Sequence, residues 1–215
     1  MMSPRTLLAA ANVALATLSL AVLPIPALAT STTTTTKSTT TTQCDGIGIT
    51  NATTTTTADR HNQRQPTAQE VVAALGLAPN VEGGYFAETF RDPALLPPPS
   101  NRSASTAIYY LLEGPGAPSV WHRVDAAEAW HWYAGAPLVL QLSRDDGSPT
   151  RRHVLGPDIL AQQPPQRPQL VVAADEWQRA ISCGDWTLVG TTVAPAFVPE
   201  GYELAPDGWE PNDGT

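Results

Sequence analysis

Trp121-His122-Arg123-Val124-Asp125-Ala126-Ala127-Glu128-Ala129-Trp130-His131-Trp132-Tyr133-Ala134-Gly135 is the stretch on which the fold turns. A histidine and a glutamate flank a short polar turn, and Glu128 then opens an aromatic strand that stops at Gly135. Strand side chains alternate between faces, so Glu128, Trp130 and Trp132 share one side while His131 and Tyr133 take the other. If the Glu128 side lines an interior, His122 approaches it from across the turn. A carboxylate and an imidazole meeting among tryptophans can do acid–base work or hold a metal. The same pair can also be a buried ion pair that merely fixes the turn, and the residues alone leave both readings open.

Outward from this block the pattern is β. Ser103–Leu112 is rich in strand formers, and Leu138–Leu142 is an apolar run that meets the hairpin-type turn Asp145-Asp146-Gly147-Ser148. Leu170–Val172 and Thr187–Val193 read as further strands. Many short strands with turn chemistry between them, and no alternation with long helices, give a sandwich or small barrel and exclude a doubly wound sheet. One short helix precedes them. Thr67-Ala68-Gln69-Glu70 is a capping box, Val71, Val72 and Leu75 form an apolar stripe, and Gly76 supplies the stop.

The chain organises as 1–29, 30–65, 66–205 and 206–215. In the first segment Arg5 precedes the apolar run Leu7–Leu23, and Pro24 and Pro26 lead into the small-x-small triplet Ala27-Leu28-Ala29. This is a signal peptide in pattern, and the mature chain is expected to be secreted without a membrane span. Residues 30–65 are a threonine-rich stalk or linker with too little apolar surface to offset its ordering entropy. Asn51-Ala52-Thr53 and Asn101-Arg102-Ser103 are N-glycosylation sequons, so the chain reads as a glycoprotein. Residues 206–215 form an acidic tail, with Trp209 expected to pack over the domain edge. Cys44 and Cys183 pair in an oxidising compartment or remain two free thiols; the sequence leaves both open.

Across 215 residues the formal charge is −8, from 20 acidic and 12 basic side chains, which argues against a nucleic-acid partner. The single lysine, Lys37, lies in the threonine-rich tract, so the folded part carries neither Schiff-base nor phosphate-loop lysine chemistry.

Glu128, six residues and Gly135 resemble the second half of the first cupin motif, with His122 at the place of its second histidine. The wider match is to cupin family five, a family of unknown function whose members look like sugar-epimerase jelly rolls. It runs through Leu75-Gly76-Leu77, Glu82-Gly83-Gly84-Tyr85, Glu88-Thr89-Phe90-Arg91, Arg102–Leu112, the Trp121–Gly135 block, Arg167–Val172, Trp177-Gln178, Trp186–Gly190 and Val193-Ala194-Pro195. The resemblance implies a mainly β cupin jelly-roll barrel, a double-stranded β-helix, with a homodimer as its usual assembly. It also places Val120 where the first cupin histidine stands and Gln178 where the last one does. His122, Glu128 and Gln178 are therefore a depleted metal set, and a divalent metal is a weak expectation.

The sequence thus nominates His122 and Glu128 as catalytic, and Glu82, Tyr85, Arg91, Tyr110, Trp130 and Gln178 as ligand-binding. Gly83-Gly84 places Glu82 and Tyr85 at the barrel mouth by resemblance. Arg102 is either a carboxylate clamp or a surface charge, and His153, after Arg151-Arg152, is expected on an exposed strand. The expected function is binding of a small polar molecule in the barrel, with proton transfer as in an epimerase or isomerase: His122 as base, Glu128 as its partner or acid. The alternative is a non-catalytic sugar or metabolite module on a glycosylated stalk. A metal-dependent oxygenase ranks third, because of Val120 and Gln178.

Overall fold

The computed structural model describes Cys44 and residues 64–114, 118–160 and 164–214. The expected signal peptide, nearly all of the threonine-rich segment and the Asn51 sequon lie outside the described residues. The helix α1 (Ala68–Leu75) forms as its termini dictate. The Thr67 side chain accepts from the Glu70 amide, Glu70 reaches back to the Thr67 amide, and Gly76 closes the helix in the left-handed region at φ 64°.

Among the described residues twelve strands follow: β1 (Ala78–Pro79), β2 (Tyr85–Arg91), β3 (Thr106–Glu113), β4 (His122–Val124), β5 (Ala127–Gly135), β6 (Leu138–Ser143), β7 (Arg151–Leu155), β8 (Gln166–Arg167), β9 (Gln169–Val172), β10 (Trp177–Ser182), β11 (Trp186–Ala194) and β12 (Tyr202–Leu204). They form two six-stranded sheets, ordered β1-β2-β3-β11-β5-β9 and β12-β4-β10-β6-β7-β8. All pairings but β7–β8 are antiparallel.

The facing sides of the sheets fill the core with Tyr110, Leu112, Trp130, Leu138, Leu140, Leu142, Leu155, Val172, Ala180 and Val189. Burial on this scale, at about 25 cal/mol per Å² of apolar surface, is the main stabilising term. A second layer lies outside the first sheet, where α1 packs with Leu77, Leu111 and Trp186. No helix among the described residues is long and apolar enough to cross a membrane.

Cys44 and Cys183 form a disulfide across 139 residues of chain, packed against Val139 and Ile181. A loop of that size corresponds to about 5 kcal/mol in the chain-entropy treatment. The tail is likewise docked: Trp209 stacks on Trp177 at 4.4 Å, and Glu210 accepts from the Trp121 indole at 3.1 Å.

One expectation changes, and one open alternative is decided. His153 is half-buried rather than exposed, because in register it stands opposite Leu140 on the core-facing side of its sheet. Arg102 is a clamp whose target is internal: its guanidinium grips the Asp125 carboxylate through two bonds of 2.8 and 3.0 Å.

Candidate functional site

Period-two alternation on β2, β3, β5 and β11 turns Phe86, Glu88, Ile108, Tyr110, Glu128, Trp130, Thr191 and Val193 toward one cavity of about 400 Å³. His122 enters from β4, Tyr202 from β12, and Glu82 from the loop between β1 and β2.

That loop is held in several places. The Asn80 amide donates to the Gly84 carbonyl at 2.9 Å, and the Val120 amide to the Glu82 carbonyl at 2.8 Å. Tyr110 donates its hydroxyl to the Gly83 carbonyl at 3.0 Å. Gly83 and Gly84 take φ of 96° and 70°, and a Cβ at Gly84 would run into the Leu111 carbonyl. The two glycines thus turn Glu82 inward.

His122 is 3% exposed. Its Nδ1–H donates to the Val120 carbonyl at 3.0 Å, since a carbonyl only accepts. This bond fixes the tautomer whose Nε2 lone pair faces the cavity. Nε2 faces Glu82 Oε2 at 3.6 Å, beyond hydrogen-bonding distance. Burial pushes the Glu82 carboxyl above its ordinary range, against the opposing pull of His122 and with a further push from Glu128. The Tyr202 hydroxyl is buried and makes no hydrogen bond of good geometry, although Glu82 lies close to it; burial, then the Glu82 charge and its contact with this hydroxyl, then the Glu128 charge raise its ionisation far above normal. It stays a donor.

Glu128 is fixed from behind. The Gln178 amide nitrogen donates to Glu128 Oε2 at 2.5 Å, while its carbonyl oxygen accepts from the Trp130 indole at 2.9 Å. Gln178 is thus committed at both ends and stands in the wall rather than on the cavity surface. This corrects its expected role as a ligand contact. It also bears on the donor set for a metal: the Gln178 oxygen is turned to the Trp130 indole, and Val120 offers only an aliphatic side chain. Among the described residues no three His, Cys, Asp or Glu side chains group closely enough to hold a metal ion. The residues present do not fit the four-ligand cupin metal site.

Of the other nominated residues, Tyr110 and Trp130 line the cavity, and Arg91 lies at its edge, paired with Glu88 at 2.6 Å. Tyr85 does not reach it. Its neighbour Phe86 takes the inward position, so Tyr85 points to the α1 side and its hydroxyl accepts from Gln69 at 3.1 Å. The partner of His122 also differs from expectation: it is Glu82, not Glu128. Tyr202 and Phe197 were missed altogether. The chain segment that carries them has no motif, and only the fold brings it back over the cavity.

Residues 69–205 match the family described as Cupin superfamily (DUF985). The chain belongs to this family. Protein SO0799 from Shewanella oneidensis, solved by X-ray crystallography, is 30% identical with a TM-score of 0.59, over 66% of this chain and 85% of that one. A hypothetical protein from Leishmania major is 27% identical with a TM-score of 0.56, over 64% and 86%. Among curated proteins nothing matches. The mainly β fold of this cupin is therefore shared with solved relatives.

Proposed function

We propose that the cavity binds a small polar molecule and that this cupin moves a proton on it, as an epimerase or isomerase does. The observation that carries this reading is the His122–Glu82 pair. It sets a free imidazole lone pair 3.6 Å from a buried carboxyl inside a cavity large enough for a metabolite. His122 Nε2 takes a proton from carbon next to a carbonyl. The Tyr202 hydroxyl donates to the oxygen on which charge gathers, and the imidazolium–Glu82 pair returns the proton to carbon. One C–H bond breaks and one forms, so the step balances without a redox partner.

The Cys44–Cys183 disulfide supports the companion proposal that the chain is exported, because such bonds persist in oxidising compartments. Edge strand β9, with Val171 57% exposed, is the edge we propose for a homodimer.

The test is exchange of solvent deuterium into a panel of hydroxy- and amino-carbonyl compounds, followed by proton NMR. The native protein is expected to wash deuterium into at least one, and His122→Gln to slow that exchange by about 100-fold or more. Equal exchange in His122→Gln, or none in either protein, overturns the reading and leaves a plain binding module.

A further inference from the structure

We infer that the ligand of this cavity is an organic cation, an alkylammonium with an apolar body, rather than a neutral sugar or an anion. The inference names the ligand class and rests on the cavity being the ligand site. Three carboxyl side chains, Glu82, Glu88 and Glu128, line it, against one guanidinium. That guanidinium belongs to Arg91, and Glu88 occupies it through bonds of 3.0 and 2.6 Å. Among the described lining residues no arginine or lysine is left to receive a carboxylate or phosphate, and an anion would meet Glu128 unscreened.

The remaining wall is aromatic. Tyr110 and Trp130 meet edge to face at 6.0 Å, and Phe197 and Tyr202 meet at 5.6 Å, also T-shaped. All four line the cavity with Phe86. Rings set at an angle build the corners of a cage, and the electron-rich faces of such rings attract a poorly hydrated cation. The orphaned Tyr202 hydroxyl and the unbonded His122 Nε2 then serve the polar end of the molecule. Acid–base chemistry gains from the same charge, since an ammonium group beside a carbon acid stabilises the carbanion. The overall charge of −8 draws cations toward the protein.

Three probes of one shape separate the possibilities: choline, its neutral carbon isostere neohexyl alcohol, and the corresponding anion tert-butylacetate. Calorimetric titration of the full chain should show choline binding about tenfold more tightly than neohexyl alcohol, with tert-butylacetate weakest. Glu128→Gln keeps an oxygen for the Gln178 amide and should shrink the choline preference to about threefold or less. Glu82→Gln should do the same, and carries the test if Glu128→Gln fails to fold by circular dichroism. Equal or tighter binding of the alcohol or the anion overturns the cation assignment, as does a preference unchanged in both variants. Those results leave the deuterium-exchange reading standing. Binding of none of the three overturns the assignment too, and deuterium exchange then decides separately whether the cavity holds any substrate.

Discussion

Two regions of this cupin are built from the same residue types and differ in what they leave unpaired. On the outer side of the second sheet Trp121, Trp177 and Trp209 cluster with Arg123, Arg179 and Glu210. Arg179 lies over Trp121 at 4.6 Å and pairs with Glu210 at 2.6 Å, while Arg123 lies over Trp177 at 4.8 Å and pairs with Glu203 at 2.6 Å. The Trp121 indole has its acceptor in Glu210. Both arginines and the Trp121 indole are matched, and the cluster works as a clasp for the tail. In the cavity, tryptophan, tyrosine and carboxylates again meet, but His122 Nε2 stands 3.6 Å from Glu82 without a hydrogen bond, and the Tyr202 hydroxyl makes none of good geometry. The difference between a clasp and a site is therefore polar satisfaction, not composition.

The largest expected effect breaks the clasp alone. Trp209→Ala removes a half-buried ring from between Trp121 and Trp177 and should cost about 2–3 kcal/mol in urea unfolding, below the full core value because the ring is partly exposed. Choline affinity and deuterium exchange should not move. If they fall in step with stability, clasp and cavity are one unit and the contrast fails.

Glu82→Gln acts the other way. A carboxyl whose folded pKa is raised contributes stability at acid pH that is lost as pH rises through the folded pKa. At neutral pH the ionisable Glu82 is therefore a cost relative to the unfolded chain, and Glu82→Gln should stabilise by on the order of 1 kcal/mol. The gain should vanish below its ordinary value of 4.5, and exchange activity should drop at every pH. A variant that is less stable at neutral pH would place Glu82 in the structural frame instead.

The contrast explains what was legible beforehand. The helix was readable because its cap is local: Thr67, Glu70 and Gly76 meet their partners within a turn. The faces of β5 were readable because alternation is local too, and Glu128 and Trp130 do face the cavity while His131 and Tyr133 stack outside it at 6.4 Å. Which carboxylate meets His122 was not readable. Glu128 is six residues away and Glu82 is 40, yet the loop of positive-φ glycines brings Glu82 to the ring while Gln178 holds Glu128 back. The Gly83-Gly84 pair was the available signal. Tyr202 had none, because a three-residue strand reaches its place only through pairing with β4.

His153 sharpens the comparison from the other side, with the smallest effect. Its Nε2 is also buried without a partner, yet it is not among the residues that line the cavity described above. Burial and then the Arg151 charge lower its pKa from 6.5, with Glu176 opposing. A folded pKa below the unfolded one gives stability that is present above 6.5 and is lost as pH falls through the folded value. Because the ring is only half-buried, solvent screening holds this to a few tenths of a kcal/mol. His153→Leu, facing Leu140, should flatten the fall in urea midpoint between about pH 7 and about pH 5 by that amount. Choline affinity should be untouched. An unchanged slope would mean that the Nε2 proton is satisfied in solution. A loss of choline affinity would mean that orphaned nitrogens act over a distance. The expected result leaves a narrower rule: an unpaired polar atom marks a site only where it opens onto space that a ligand can fill.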